Sequence, residues 1–179
     1  TYAKLTANMD RMREKGILFG ASVTLTTENL ATVTGDAFLN HLRTLGAKVV
    51  FFVDYVPADA GTEALAPGDV ERELLARRLD ELRAVQDGMI YVSFPGDEQF
   101  SDGCLAAGRG FFHINPTGGA EPCPFSPVSD TNLKHISLLG ALDSPLFSRL
   151  RASELLRGHH NGACALFGKN DELTAMCGN

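Results

Sequence analysis

Two of the four cysteines in this 179-residue chain bracket a stretch rich in glycine and proline. Cys104 is followed by thirteen residues, Gly118, four more residues and then Cys123. A chain that folds back at Gly118 would bring the two thiols towards one end of the fold. Because thiolates are soft ligands, two of them at one point would supply half of a four-coordinate metal or iron–sulfur site.

The residues between these two cysteines predict a β-hairpin. Residues 111–114 (FFHI) indicate one strand, and residues 120–123 indicate the returning strand, which neighbouring prolines end. The segment PTGG at 116–119 has the residues of a tight turn, because proline presets one φ and glycine adopts positive φ. The hairpin is therefore the element that must position the cysteines.

The remaining cysteines are Cys164 and Cys177. Small residues or prolines flank Cys104, Cys123 and Cys164, and small neighbours let a cluster approach backbone amides. Cys177 follows a predicted helical turn and is either a fourth ligand or an idle thiol. If it is idle, a substrate, a solvent molecule or a non-cysteine ligand would take the fourth position. Composition alone leaves metal ligation, buried thiols and disulfides as alternatives.

The same stretch carries a resemblance. HINPTGGAEPCPF, with the later SDTNLKHISLLGALDSPLFSRLR and GACALF, resembles the auxiliary-cluster domain, of the twitch or SPASM type, of radical SAM enzymes. The upstream half resembles the last strand–helix units of the radical SAM barrel. The resemblance implies an auxiliary [4Fe–4S] cluster held by Cys104, Cys123, Cys164 and Cys177, which relays an electron or binds substrate.

One departure from that family matters. The Cys-x3-Cys-x2-Cys loop that binds the SAM-cleaving cluster is absent from the sequence. We therefore expect the C-terminal part of a longer oxidoreductase, which needs the missing N-terminal half of the barrel as its partner. SAM and a second [4Fe–4S] cluster would belong to the intact protein, and its substrate would be a peptide or a small metabolite. This chain alone would not cleave SAM.

Two alternatives belong to other classes. The first is a non-catalytic structural or interaction module stapled by zinc or a cluster. Zinc sites favour paired cysteines two to four residues apart, whereas 18, 40 and 12 residues separate these cysteines. The second alternative is a redox protein that forms a Cys104–Cys123 disulfide, which would require one thiol of lowered pKa.

Several polar residues invite a functional interpretation. By resemblance, Ser22 on the first predicted strand is a candidate SAM contact; otherwise its hydroxyl is satisfied within the strand. Asp54 and Ser93 end the second and third strands, where α/β barrels place their sites. Either residue would contact substrate or cap a neighbouring element.

Polar residues near the cysteines favour local roles. His113 is expected to be a packed, hydrogen-bonded residue of the hairpin, although it could face the cluster or substrate. Asn115 and Glu121 are expected to close the turn. His159 and His160 are expected in a solvated loop.

Hydrophobic patterns define the elements that carry these residues. The predicted strands are 17–25, 48–56 and 89–94, and the helices are 2–15, 36–45, 69–86, 138–143, 145–156 and 171–176. Continuous apolar strands that alternate with helices indicate a parallel sheet with right-handed crossovers, here the C-terminal portion of an α/β barrel. The alternation stops near residue 95, so we predict barrel units at 1–95 and a small α+β auxiliary-cluster domain at 96–179.

Strand number, charge and composition limit the kinds of partner and the cellular location that we expect. Three strands form an open arc with raw edges, which predicts a homodimer through the exposed sheet edge. The net charge of −6 argues against nucleic acid as partner. No apolar run reaches the roughly 20 residues that span a bilayer. The cysteines are too sparse for a disulfide scaffold and no signal peptide opens the chain, so we expect a cytoplasmic protein.

Overall fold

The computed structural model describes residues 2–57, 60–85, 87–157 and 164–177. The chain divides into two compact units, Thr1–Asp97 and Glu98–Asn179. The predicted division between 1–95 and 96–179 lies two residues before this one.

The first unit is built on a parallel sheet. Strands β1 (Gly20–Leu25), β2 (Val49–Asp54) and β3 (Ile90–Phe94) pair in the order β1-β2-β3. The register places Gly20 beside Val49, and Val49 beside Ile90. The predicted mixed α/β class, with three parallel strands and helices between them, is confirmed.

Four helices accompany this sheet in the residues that the structure describes. They are α1 (Tyr2–Glu14), α2 (Leu30–Val33), α3 (Asp36–Thr44) and α4 (Asp69–Ala84), with a 3-10 turn at Glu63–Leu65. Of these, α2 lies between the predicted strand at 17–25 and the predicted helix at 36–45, where no helix or strand was predicted. Side chains alternate along a strand, so one set faces the helices. In β2 that set includes Val50 and Phe52, which are fully buried in one core with Leu39, Leu75 and Leu79 of the helices.

The opposite face of the sheet is largely open. Phe51 in the middle strand is 44% exposed, and Ile90 on the edge strand is 61% exposed. The three-stranded arc was predicted to have exposed edges, and the structure exposes this face as well. The strands therefore carry apolar side chains on both faces while only one face is buried.

The described part of the second unit contains the predicted hairpin and three short helices. Strands β4 (His113–Ile114) and β5 (Ala120–Glu121) pair antiparallel, and helices α5 (Leu138–Leu142), α6 (Pro145–Ala152) and α7 (Asn170–Met176) follow. Further 3-10 turns lie at Gly96–Ser101 and Glu154–Leu156. The core consists of fully buried apolar side chains, among them Leu146, Phe147, Leu150, Leu156, Leu166 and Leu173.

The hairpin strands are shorter than predicted. Phe111 lies outside β4 because its N–H donates to the Leu105 carbonyl and its own carbonyl accepts from Gly108 N–H. Cys123 lies outside β5 and forms an isolated bridge with Ser126. The backbone of both residues is therefore committed to the cysteine loops rather than to the hairpin.

The long helix predicted at 145–156 is interrupted. Helix α6 ends at Ala152, and Ser153 has extended backbone. The Ser153 hydroxyl accepts the N–H of Leu155 and begins the following 3-10 turn. Among the helices of the described residues, none is long and apolar enough to cross a membrane.

Candidate metal centre

Three cysteines from separate segments of the second unit come together. Cys104 follows the 3-10 turn at Gly96–Ser101, Cys123 follows β5, and Cys164 precedes α7. Cys104 and Cys123 are buried, and Cys164 is half-buried. The thiol of Cys123 hydrogen-bonds to Cys164, and both sulfurs interact electrostatically with Cys104. The structure thus groups three of the four predicted ligands.

Each of these sulfurs accepts hydrogen bonds from backbone amides that follow it. The N–H of Phe125 lies 3.2 Å from the Cys123 Sγ. The N–H of Ala106 donates to Cys104, and the N–H groups of Leu166 and Phe167 donate to Cys164. In every case a donor lies two residues beyond the cysteine. Because N–H donors stabilise a charged sulfur, each of these contacts lowers the pKa of its cysteine and opposes the effect of burial.

The pKa values of the three thiols diverge. Burial raises the pKa of Cys104 to about 12. The hydrogen bond to Cys164, and then burial, raise the pKa of Cys123. The same hydrogen bond lowers the pKa of Cys164 to about 7, aided by its two amide donors. Cys164 is therefore the thiol that most readily becomes a thiolate, while Cys123 keeps its proton and donates it to Cys164.

The Cys104 loop is fixed through its backbone. The N–H of Cys104 donates to the Leu156 carbonyl over 2.8 Å. Gly103, with φ of +98°, packs so closely that an added Cβ would lie 2.2 Å from the same carbonyl oxygen. The Arg109 guanidinium donates over 2.8 to 3.1 Å to four carbonyls, those of Ser101, Asp102, Cys104 and Leu156. These contacts hold Cys104 against the 3-10 turn at Glu154–Leu156.

The hairpin turn that precedes Cys123 is closed by Asn115. Its Oδ1 accepts the N–H groups of Thr117 and Gly119 and the hydroxyl of Thr117. Its Nδ2 donates to the Glu121 carboxylate over 2.7 Å. The local roles predicted for Asn115 and Glu121 are confirmed. His113 lies opposite Glu121, with 3.9 Å between Nε2 and the carboxylate.

Cys177 has different surroundings. It follows α7, and its Sγ donates to the Leu173 carbonyl over 3.6 Å. Burial raises its pKa, and the charged groups that act on it are Asp130 and Arg149 rather than the other cysteines. The surroundings of Cys177 therefore favour the protonated thiol. Its sulfur does not join the group formed by Cys104, Cys123 and Cys164.

A residue that the sequence interpretation missed lies beside the three thiols. Glu98 is only 4% exposed. Its Oε1 accepts the N–H of Leu105 over 2.9 Å. Cys104 donates to its carboxylate, and its charge raises the pKa of Cys104 and Cys164. Its polar sequence neighbours (GDEQFSDG) are typical of a surface turn, so no sequence signal marks it as buried.

The fit of this donor set to a metal depends on the size of the bound group. Within the described ranges, no three or more His, Cys, Asp or Glu side chains are arranged to hold a single ion. Thiolates on one zinc ion lie about 3.8 Å apart, given its bond length and tetrahedral geometry. Here Cys123 and Cys164 are in hydrogen-bonding contact, while Cys104 interacts with them electrostatically. Sulfurs that bind different irons of one cluster are spaced more widely, so Cys123 and Cys164 would have to move apart to hold a cluster. His159 and His160 lie outside the described residues.

The site residues predicted in the first unit, Ser22, Asp54 and Ser93, each have different surroundings. Ser22 is exposed on β1, on the face away from the helices. Asp54 is buried and its Oδ2 lies 3.1 Å from the Arg72 Nε; burial raises its pKa and Arg72 opposes that rise. Ser93 is buried, and its N–H donates to Asp97 over 2.8 Å. Asp54 and Ser93 therefore hold local contacts at the carboxyl edge of the sheet.

No protein-family model, no curated protein and no solved structure matches this chain.

Proposed function

We propose that this chain is the C-terminal part of a radical SAM iron–sulfur protein whose second unit binds an auxiliary [4Fe–4S] cluster. Cys104, Cys123 and Cys164 would hold the cluster. The observation that carries the proposal is the convergence of three thiols from separate segments, each facing an amide N–H two residues further on. That arrangement serves thiolates bonded to a metal better than it serves protonated thiols.

The bound cluster would supply one-electron transfer or a coordination position for substrate. The protein residues would set the environment of the cluster. Amide N–H groups of Ala106, Phe125, Leu166 and Phe167 would offset negative charge on the sulfurs, which favours the reduced state. Burial of Cys104 and Cys123 would exclude water from that side, while half-buried Cys164 marks the side nearer to solvent.

The first unit supports the wider proposal through its topology. Parallel strands with helices between them have the order expected of successive units of an α/β barrel. Ser22 projects from the face of β1 that the helices leave open, where a SAM contact in the intact protein would require it. The missing N-terminal half would bind SAM and the second cluster, so the intact protein would act as an oxidoreductase on a peptide or small metabolite.

Metal analysis of anaerobically purified chain tests this proposal. We expect about four iron and four sulfide per chain, with broad visible absorption that bleaches on reduction. Cys123→Ala should lose most of both, because Cys123 lies within the group of three thiols. Cys177→Ala is the matched control, and it should retain iron and sulfide because Cys177 faces Leu173, Asp130 and Arg149 instead.

A second candidate is a structural module stapled by zinc. The contact between Cys123 and Cys164 favours it, because two sulfurs so close suit a single ion. Stoichiometric zinc without colour would identify that module. A folded, anaerobic chain that binds neither iron nor zinc would contradict both candidates.

A further inference from the structure

We draw no further inference here: the strongest candidate, a reversible disulfide between the Cys123 and Cys164 thiols of the side-chain cluster in the core of the second unit, belongs to the cysteine site already described.

Discussion

Cys164 and Cys177 are both half-buried, yet their surroundings shift their pKa values in opposite directions. The hydrogen bond from Cys123 lowers the pKa of Cys164 to about 7, whereas burial raises the pKa of Cys177. Thiolate is the reactive form. In the metal-free, reduced chain we therefore expect iodoacetamide to modify Cys164 first, with a rate that rises through about pH 7 and levels off above it.

Peptide mass spectrometry of samples quenched at intervals measures the two rates separately. Cys123→Ala is the informative variant, because it removes the hydrogen bond that stabilises the Cys164 thiolate. Its Cys164 rate profile should move to higher pH, while the Cys177 profile should not move. Faster modification of Cys177 than of Cys164 at pH 7 would contradict this assignment.

At the residue scale, the sequence could indicate only part of the site. The hairpin spacing correctly placed Cys104 and Cys123 in one group, because a hairpin brings together residues on either side of its turn. Cys164 joins them from a distant segment. The small neighbours of Cys164 grouped it with Cys104 and Cys123, whereas the role of Cys177 was left open. No sequence signal predicted that Glu98 is buried, since its placement depends on tertiary contacts.

At the scale of elements, the Cys104 loop depends on close packing against the 3-10 turn at Glu154–Leu156. Gly103 has φ of +98°, and an added Cβ would lie 2.2 Å from the Leu156 carbonyl oxygen. Since a backbone atom cannot yield as a flexible side chain can, we expect Gly103→Ala to lower the free energy of unfolding by about 2–5 kcal/mol. It should also reduce the iron content, because Cys104 hydrogen-bonds to the same carbonyl.

Gly168→Ala is a matched control in the same unit. Gly168 also has positive φ, at +74°, but nothing lies within 4 Å of the added Cβ. It should cost only the backbone strain, about 1–2 kcal/mol, and leave the iron content unchanged. Urea denaturation and metal analysis of both variants make the comparison. Equal losses of stability would show that packing against Leu156 contributes nothing.

Most helices and strands were predicted from local sequence patterns. Where a predicted boundary is wrong, the cause is a local contact. The three strands and the helices that alternate with them were predicted because apolar runs and 3.6-residue periodicity depend on short windows of sequence. The prediction failed where side-chain or loop contacts override such patterns. Ser153 ends α6 by capping the next turn, and the loop after Cys104 takes the backbone groups of Phe111.

At the scale of the whole molecule, the open face of the sheet is the feature that most affects behaviour in solution. Phe51 and Ile90 are exposed there, and β3 is an edge strand. On its outer side, Arg83 donates to the Tyr91 carbonyl and the Ser93 N–H donates to Asp97. Apolar side chains exposed together on one face of a sheet favour association through that face. In the intact protein proposed above, the missing strands of the barrel would continue this sheet. In the chain alone, we expect a second copy to take that place.

A charge on the edge strand tests that expectation. Ile90→Lys should weaken self-association at least about tenfold, because a lysine on an edge strand opposes sheet pairing. Val85→Lys, which changes a similarly exposed residue just after α4, should leave association unchanged. Sedimentation velocity over a range of concentrations measures the monomer–dimer equilibrium of all three proteins. A wild-type chain that stays monomeric would contradict the dimer, and equal weakening by both lysines would place the contact away from the sheet.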